Sequence, residues 1–400
     1  MVTNSPRVQA KRRDSAVSEQ DFFDLPDESC LAVVKRQLRH IRTWVLFAVL
    51  VLFFLWSRRE GPAPPPPTIP HINYNKVDWS RFAYTQYATS STYLCNALMV
   101  FEALHRYGSR ADRVLFYPED WDLVVSDDED RTSQLLMLAK EKYNVRVVPV
   151  SMEGIKKPDQ EGSQQSWDKS ISKFFAFAEA AYDRIIQLDS DVTLLQNLDE
   201  LFFLPSAPVA MPRAYWLLPE RQLSSLLVVL EPSFAEYYAL KDAALAAAHG
   251  QLELDTTGNR YDMELLNNRY ADSALVLPHR QYGLVTGEFH AKDHGHYLGN
   301  DREEWNPEKA VAEAALVHFS NDWKPWVMWS ADDLADSQPR CKFFSGSPQE
   351  SGCENRVAWK KLYDDFRKRR KVRVAPFWGE IGANTGFQEI CQLLSYPAQN

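Results

Sequence analysis

The chain has 400 residues, 45% of them hydrophobic, which is ample for one large globular domain with appendages. Its formal net charge of −9, with no basic stripe dominating the part expected to fold, argues against a nucleic-acid partner.

Residues 1–40 are polar and mixed in charge, with Lys11-Arg12-Arg13 and an acidic patch from Asp21 to Glu28, and read as a disordered tail. Residues 41–56 follow as a transmembrane signal anchor, uncharged from Trp44 to Trp56 and bracketed by Lys35, Arg36, Arg39 and Arg42 before and Arg58-Arg59 after. At ~1.5 Å per residue the segment spans roughly 24 Å, short for a bilayer core and closer to the thin early-secretory membrane. A buried core helix is the alternative, but such helices keep a polar face and this one is apolar all round. The long charged region before it disfavours a cleaved signal peptide. More basic residues precede than follow it, so the tail is expected in the cytoplasm and the rest in the lumen. Residues 57–78 read as a stem, because Pro64 to Pro67 fix an extended backbone.

From residue 79 the pattern alternates strand and helix. Phe82 to Tyr87 is a predicted strand. Ser90 or Ser91 then caps a helix whose stripe of Leu94, Ala97, Leu98, Phe101 and Leu104 stops at Gly108. Strands at Arg113 to Tyr117 and Val145 to Val150 flank a helix from Arg131 to Lys142, and a further helix is predicted from Trp167 to Ala181. Units of this kind imply an α/β fold with a mostly parallel central sheet flanked by helices, whose ligands sit beyond the C-terminal strand ends.

The run Arg184-Ile185-Ile186-Gln187-Leu188 ends in Asp189-Ser190-Asp191. Two carboxylates one residue apart at a strand end suit a hard divalent cation such as Mg²⁺ or Mn²⁺. Paired aspartates also cap ordinary turns, and Asp120-Trp121-Asp122 and Asp128-Glu129-Asp130 share the spacing. Those two lie in polar loops, so only Asp189 and Asp191 follow a buried strand.

Three segments resemble the glycogenin-like family of retaining glycosyltransferases, in its order and spacing. They are Tyr93 to Leu98 after the first strand, Ser172 through Asp191 to Phe202, and His318-Phe319-Ser320-Asn321-Asp322-Trp323-Lys324-Pro325-Trp326. With the anchor and Met211 to Trp216, the chain looks most similar to fungal Golgi N-acetylglucosaminyltransferases. The resemblance covers residues 80–330 and implies a GT-A type nucleotide-sugar-binding fold in a catalytic domain at 79–335. A C-terminal extension at 336–400 packs on that domain or continues it. The resemblance further implies that Asp189, Asp191 and His318 coordinate Mn²⁺, with Mg²⁺ as the alternative, against the diphosphate of a UDP-sugar donor. Lys324 matches the family lysine that meets the phosphates, Lys173 matches one on the helix before the metal strand and is a catalytic and donor-binding candidate, and Tyr93 and Tyr87 match positions that hold the uracil ring. The implied activity is transfer of a sugar, N-acetylglucosamine first, to a glycan acceptor in the Golgi lumen by a single-pass type II membrane protein.

The chain also departs from that pattern. Ser224-Ser225-Leu226 stands where the family has Asn-x-Gly and Asp262-Met263 where it has Asp-Gln, near the transferred sugar in relatives, which leaves UDP-glucose and UDP-galactose open as donors; Asn321 replaces a glycine and bears on how closely the backbone approaches the diphosphate. Asp262 is the first candidate for contacting sugar or acceptor, and nucleophilic and front-face routes to retention both stay open. The competing reading is a membrane-anchored glycan-binding relative without catalysis; clustered buried charges, costly unless occupied, argue against it.

The basic run from Arg367 to Lys371 reads as a solvated face or a surface for acidic glycans. Cys30 is expected in the cytoplasm. In an oxidising lumen, Cys341 and Cys353 are expected to pair across a short loop, with Cys95 a buried thiol on an apolar helix.

Overall fold

Along each central strand successive side chains enter different apolar layers, which explains why these strands read as unbroken apolar runs. Tyr84, Leu115, Ile186 and Val229 point into one layer, while their neighbours Ala83, Val114, Ile185 and Val228 point into the other. The computed structural model describes residue 44 and residues 46–51, 72–127, 130–151, 166–252, 261–320, 324–327, 329–341, 352–370 and 391. The chain divides into two units, Met1–Lys76 and Val77–Asn400.

In the first unit, Trp44 and residues 46–51 are helical and exposed. The rest of the expected anchor, the tail and most of the stem lie outside the described residues. Among the described residues no helix is long and apolar enough to cross a membrane.

In the second unit, β1 (Phe82–Tyr87), β2 (Asp112–Pro118), β3 (Val145–Val150) and β4 (Arg184–Leu188) form a parallel array in the order β3-β2-β1-β4. Beyond β4 and the short β5 (Val192–Leu194) the chain lays down β6 (Val209–Pro212), β7 (Leu227–Leu230) and β8 (Leu275–Leu277), which extend the sheet in the order β4-β7-β6-β8. β7 runs antiparallel to both neighbours, so the sheet is mixed but mostly parallel. A second sheet of three strands joins β5 to β9 (Leu284–Val285) through β10 (Leu316–His318).

Helix α1 (Ser91–Arg106) begins where Ser90 accepts a hydrogen bond from the Tyr93 amide, and it turns out of helical geometry just before Gly108 at φ +72°. Helices α2 (Arg131–Tyr143), α3 (Phe234–Ala248) and α4 (Asp262–Tyr270) complete the layers. The helix expected from Trp167 to Ala181 is instead a 3₁₀ helix over Ser166–Ala178. Three residues per turn stack side chains at every third position. Ser170, Lys173 and Ala176 therefore share one buried face, and Phe174 and Phe177 another.

The motif Asn197 to Phe202 is structural: Asp199 accepts hydrogen bonds from Tyr84 Oη at 2.7 Å and from Ser109 Oγ at 2.7 Å, fixing β1 to the end of α1. The C-terminal helix Glu354–Arg370 packs Trp359, Tyr363 and Phe366 into the same core as α1 and β10. Arg367 and Arg370 do not form a solvated face; both donate to neighbouring backbone carbonyls, because their helix lies against the domain with those positions inward.

Cys341 and Cys353 form a disulfide, as the spacing predicts. Cys95 is not a free thiol: it is bonded to Cys391, 296 residues away in sequence. A pairing across that distance leaves no local signal, whereas the apolar surroundings of Cys95 suit a thiol equally well. Replacing Cys391 by serine is expected to lower stability by about 2–4 kcal/mol, read as a shift of the urea midpoint. An unchanged midpoint would mean that the tie carries no stability.

Candidate active site

The Asp189-Ser190-Asp191 turn is the crossing from the large sheet to the small one. The Asp189 amide continues the β4–β7 ladder by donating to Leu226 O at 3.0 Å, and Asp191 O accepts from the Phe319 amide at 2.9 Å. Antiparallel pairing sets His318 opposite Val192. Two segments about 130 residues apart thus bring carboxylates and an imidazole together through backbone register alone. Ligand atoms of Asp189, Asp191 and His318 lie within 4.8 Å of one another.

Beneath them is a buried floor. Lys173, 2% exposed, lies with its Nζ 2.7 Å from Asp189 Oδ1 and 2.5 Å from Asp262 Oδ2, and donates to Ser225 O at 2.9 Å. Burial opposes its charge, but Asp189 and Asp262 hold its pKa above the ordinary lysine value. Asp262 opens α4, where a helix N-terminus favours a carboxylate. Burial works against its charge too, yet Lys173 first, then Ser225 and Ser170, keep it below the usual carboxylate range.

Above the floor is a half-open rim. His318 Nε2 lies 3.1 Å and Lys324 Nζ 3.0 Å from the two oxygens of Asp191. Against the effect of burial, these two partners hold the Asp191 carboxyl below its ordinary value. Asp189 goes the other way, since burial outweighs Lys173 and pushes it up to about 6. Three carboxylates face two ammonium groups, so the carboxylates outnumber the ammonium groups by one.

That imbalance fits a divalent cation. Asp189 Oδ1 is buried, and the Lys173 ammonium 2.7 Å away is shared with Asp262. Two carboxylates with one imidazole suit Mn²⁺ better than Ca²⁺. The residues present therefore fit the ion.

Tyr87, at the end of β1, faces this cluster: burial raises its phenol well above the ordinary value, and Asp189, Asp262 and Asp191 add to the rise. Tyr93 sits one turn into α1 with its ring edge-on to Trp326 at 6.1 Å. Residues 321–323 lie outside the described residues.

No family model matches the chain. A glucose N-acetyltransferase 1 from Aspergillus fumigatus is 66% identical over 366 residues, covering 90% of this chain and 94% of that protein. The chain belongs to the glucose N-acetyltransferase 1 family. A second member, from Gibberella zeae, is 43% identical over 318 residues, covering 76% of this chain and 65% of its own length. Among solved structures, the galactosyltransferase LgtC with donor and acceptor sugar analogues is similar at a TM-score of 0.41 and 13% identity, over 67% of this chain and 98% of that one.

In this glucose N-acetyltransferase 1 family member the structure brings together Lys173, Asp189, Asp191, Asp262, His318 and Lys324, with Tyr87 alongside. Sequence reasoning missed Ser170, and it read Ser225 only as part of a departure from the family pattern. Ser225 accepts from Lys173 through its carbonyl, which any residue carries, and its side chain helps to hold Asp262 ionised. Ser170 shares the Lys173 face only because the helix is 3₁₀.

Lys173→Met is expected to destabilise the protein by about 3–5 kcal/mol, because it strands the buried Asp262 charge. Adding Asp262→Asn should recover part of that loss. Denaturant titration of the two variants decides the matter, and equal midpoints for single and double variants would contradict the pairing.

Proposed function

We propose that this protein is a retaining glycosyltransferase of the GT-A type, related to the glycogenin-like enzymes, that transfers N-acetylglucosamine from UDP-GlcNAc to a glycan acceptor. The observation that carries this reading is the convergence of Asp189, Asp191 and His318 on one point, with lysines on either side. Asp189, Asp191 and His318 would hold Mn²⁺. When bound, that ion supplies positive charge to a diphosphate leaving group.

The chain's own residues account for the rest. Lys324, already on the open rim, is placed to exchange Asp191 for a phosphate oxygen. Lys173 cannot leave the floor without stranding two carboxylates, so it holds Asp189 in place and lends its charge from below. Asp262, held ionised and 9% exposed in its side chain, is positioned as an acceptor of hydroxyl hydrogen bonds from the sugar. Tyr93 and Trp326 form an aromatic edge suited to a base, with Tyr87 closing the wall beside the carboxylates.

The relatives' name, read literally, describes an acetyl transfer to glucose. Acetyl transfer from a thioester releases a thiol remote from any phosphate, whereas a sugar nucleotide releases its diphosphate at the reacting bond, where two lysines and a cation held by Asp189, Asp191 and His318 would meet the growing charge.

The test is a panel of UDP-GlcNAc, UDP-glucose, UDP-galactose and acetyl-CoA with Mn²⁺, scored for UDP release and for glycan product. UDP-GlcNAc turnover is expected, falling about 100-fold or more in Asp191→Asn and in His318→Ala. Full activity in either folded variant would remove the metal assignment, and acetyl transfer without UDP release would replace the proposal altogether.

We place the catalytic region in the Golgi lumen, tethered by residues 41–56 as a type II anchor. The two disulfides support an oxidising compartment. Protease added to intact microsomes should then trim only the N-terminal tail. Digestion of the catalytic region under those conditions would invert the orientation.

A further inference from the structure

Arg370, the last residue of the C-terminal helix, is 1% exposed. It donates to Asn96 Oδ1 and, at 3.4 Å, to Thr92 O, both in the opening turns of α1. Its guanidinium carbon lies 5.9 Å from the centre of the Trp326 ring, and Lys324 Nζ lies 5.7 Å from that same centre. Among the described residues no carboxylate pairs with it, and its buried Nε has no hydrogen-bond partner. A buried, unneutralised guanidinium is costly, and a core clamp alone is made more cheaply by an apolar side chain. Burial pushes its pKa down to about 10, so it remains charged at neutral pH. The carbonyl end of its own helix offsets only part of the cost.

This charge has a consistent setting. Thr92 and Asn96 flank Tyr93, and α1 starts at the C-terminal end of β1, beside the β4 end that carries Asp189. The N-terminus of α1, the positive end of its dipole, lies at the same end of the sheet. Arg367 adds a second hold by donating to Pro325 O at 2.8 Å, next to Lys324.

We propose that Arg370 is a positioning residue for donor binding: seated against the first turns of α1 and the Trp326 ring, its charge, which no carboxylate among the described residues neutralises, raises the site's affinity for the anionic diphosphate rather than for the base. This rests on the nucleotide-sugar reading above. It extends the donor site to a helix beyond the three motif segments.

Asn96→Asp tests it, because the new carboxylate keeps an oxygen for the guanidinium while cancelling its charge. Binding of UDP and of uridine, each with Mn²⁺, is measured by calorimetry on wild type and variant. UDP affinity is expected to fall about tenfold, with uridine affinity and melting temperature maintained. Arg370→Met, whose stem fills the same space, serves as the second variant and should show the same selective loss. UDP affinity unchanged in either folded variant overturns the proposal, as does a uridine affinity that falls in step with that of UDP. A wild-type protein that binds neither probe overturns the nucleotide reading itself.

Discussion

The burial of one lysine between two aspartates is the constraint on which the rest of the site depends. Lys173 is out of solvent, and an ammonium group in that position is tolerated only while its partners stay within reach. Those partners come from the end of β4 and from the start of α4, so three segments spread over about ninety residues must converge before any of them is stable there. The 3₁₀ winding of Ser166–Ala178 serves this convergence, since it stacks Ser170 directly over Lys173 and gives Asp262 a second hydrogen-bonding partner. In return Lys173 allows Asp189 and Asp191 to lie close together, a placement that like-charge repulsion and burial otherwise oppose.

How much of this was legible in the sequence depends on whether the determinant is local. The parallel strands β1 to β4 were legible because buried strands read as apolar runs separated by helical stripes, and Ser90 and Gly108 punctuate α1 by ordinary capping chemistry. The Asp189–Asp191 pair stood out because it interrupts such a run. His318 and Lys173 carried no such mark: one histidine among nine, and one lysine on an amphipathic stretch, became visible only through resemblance to a family. The antiparallel β7 was not foreseen, because strand direction depends on connections that local pattern does not encode.

Charge gave the weakest signal. Arg367 to Lys371 has the composition of a solvated helix end, and nothing in its sequence distinguishes the arginines that turn inward. Their burial follows from the apolar face of the same helix, Trp359, Tyr363 and Phe366, which draws the helix onto the domain and brings positions 367 and 370 with it. The Cys95–Cys391 bond is equally invisible from local spacing, since its ends are unrelated in sequence.

The two sheets differ in what they can contribute. The seven-stranded sheet is covered on both faces and, through Lys173, holds Asp262 in a buried floor, with Asp189 partly exposed between floor and rim. The three-stranded sheet contributes the partly exposed His318, and Lys324 lies beyond its last strand. A charged ligand entering over the rim therefore meets groups that can exchange partners, while those underneath cannot. That division suits a reaction in which negative charge grows on a departing group: fixed dipoles and charges below need no reorganisation, and the rim lysine can follow the charge as it develops. It also explains why the C-terminal helix matters to a site it does not line. By packing on Phe319 and Trp326 and holding Pro325, it fixes the one wall of the site that a short sheet alone would leave loosely supported.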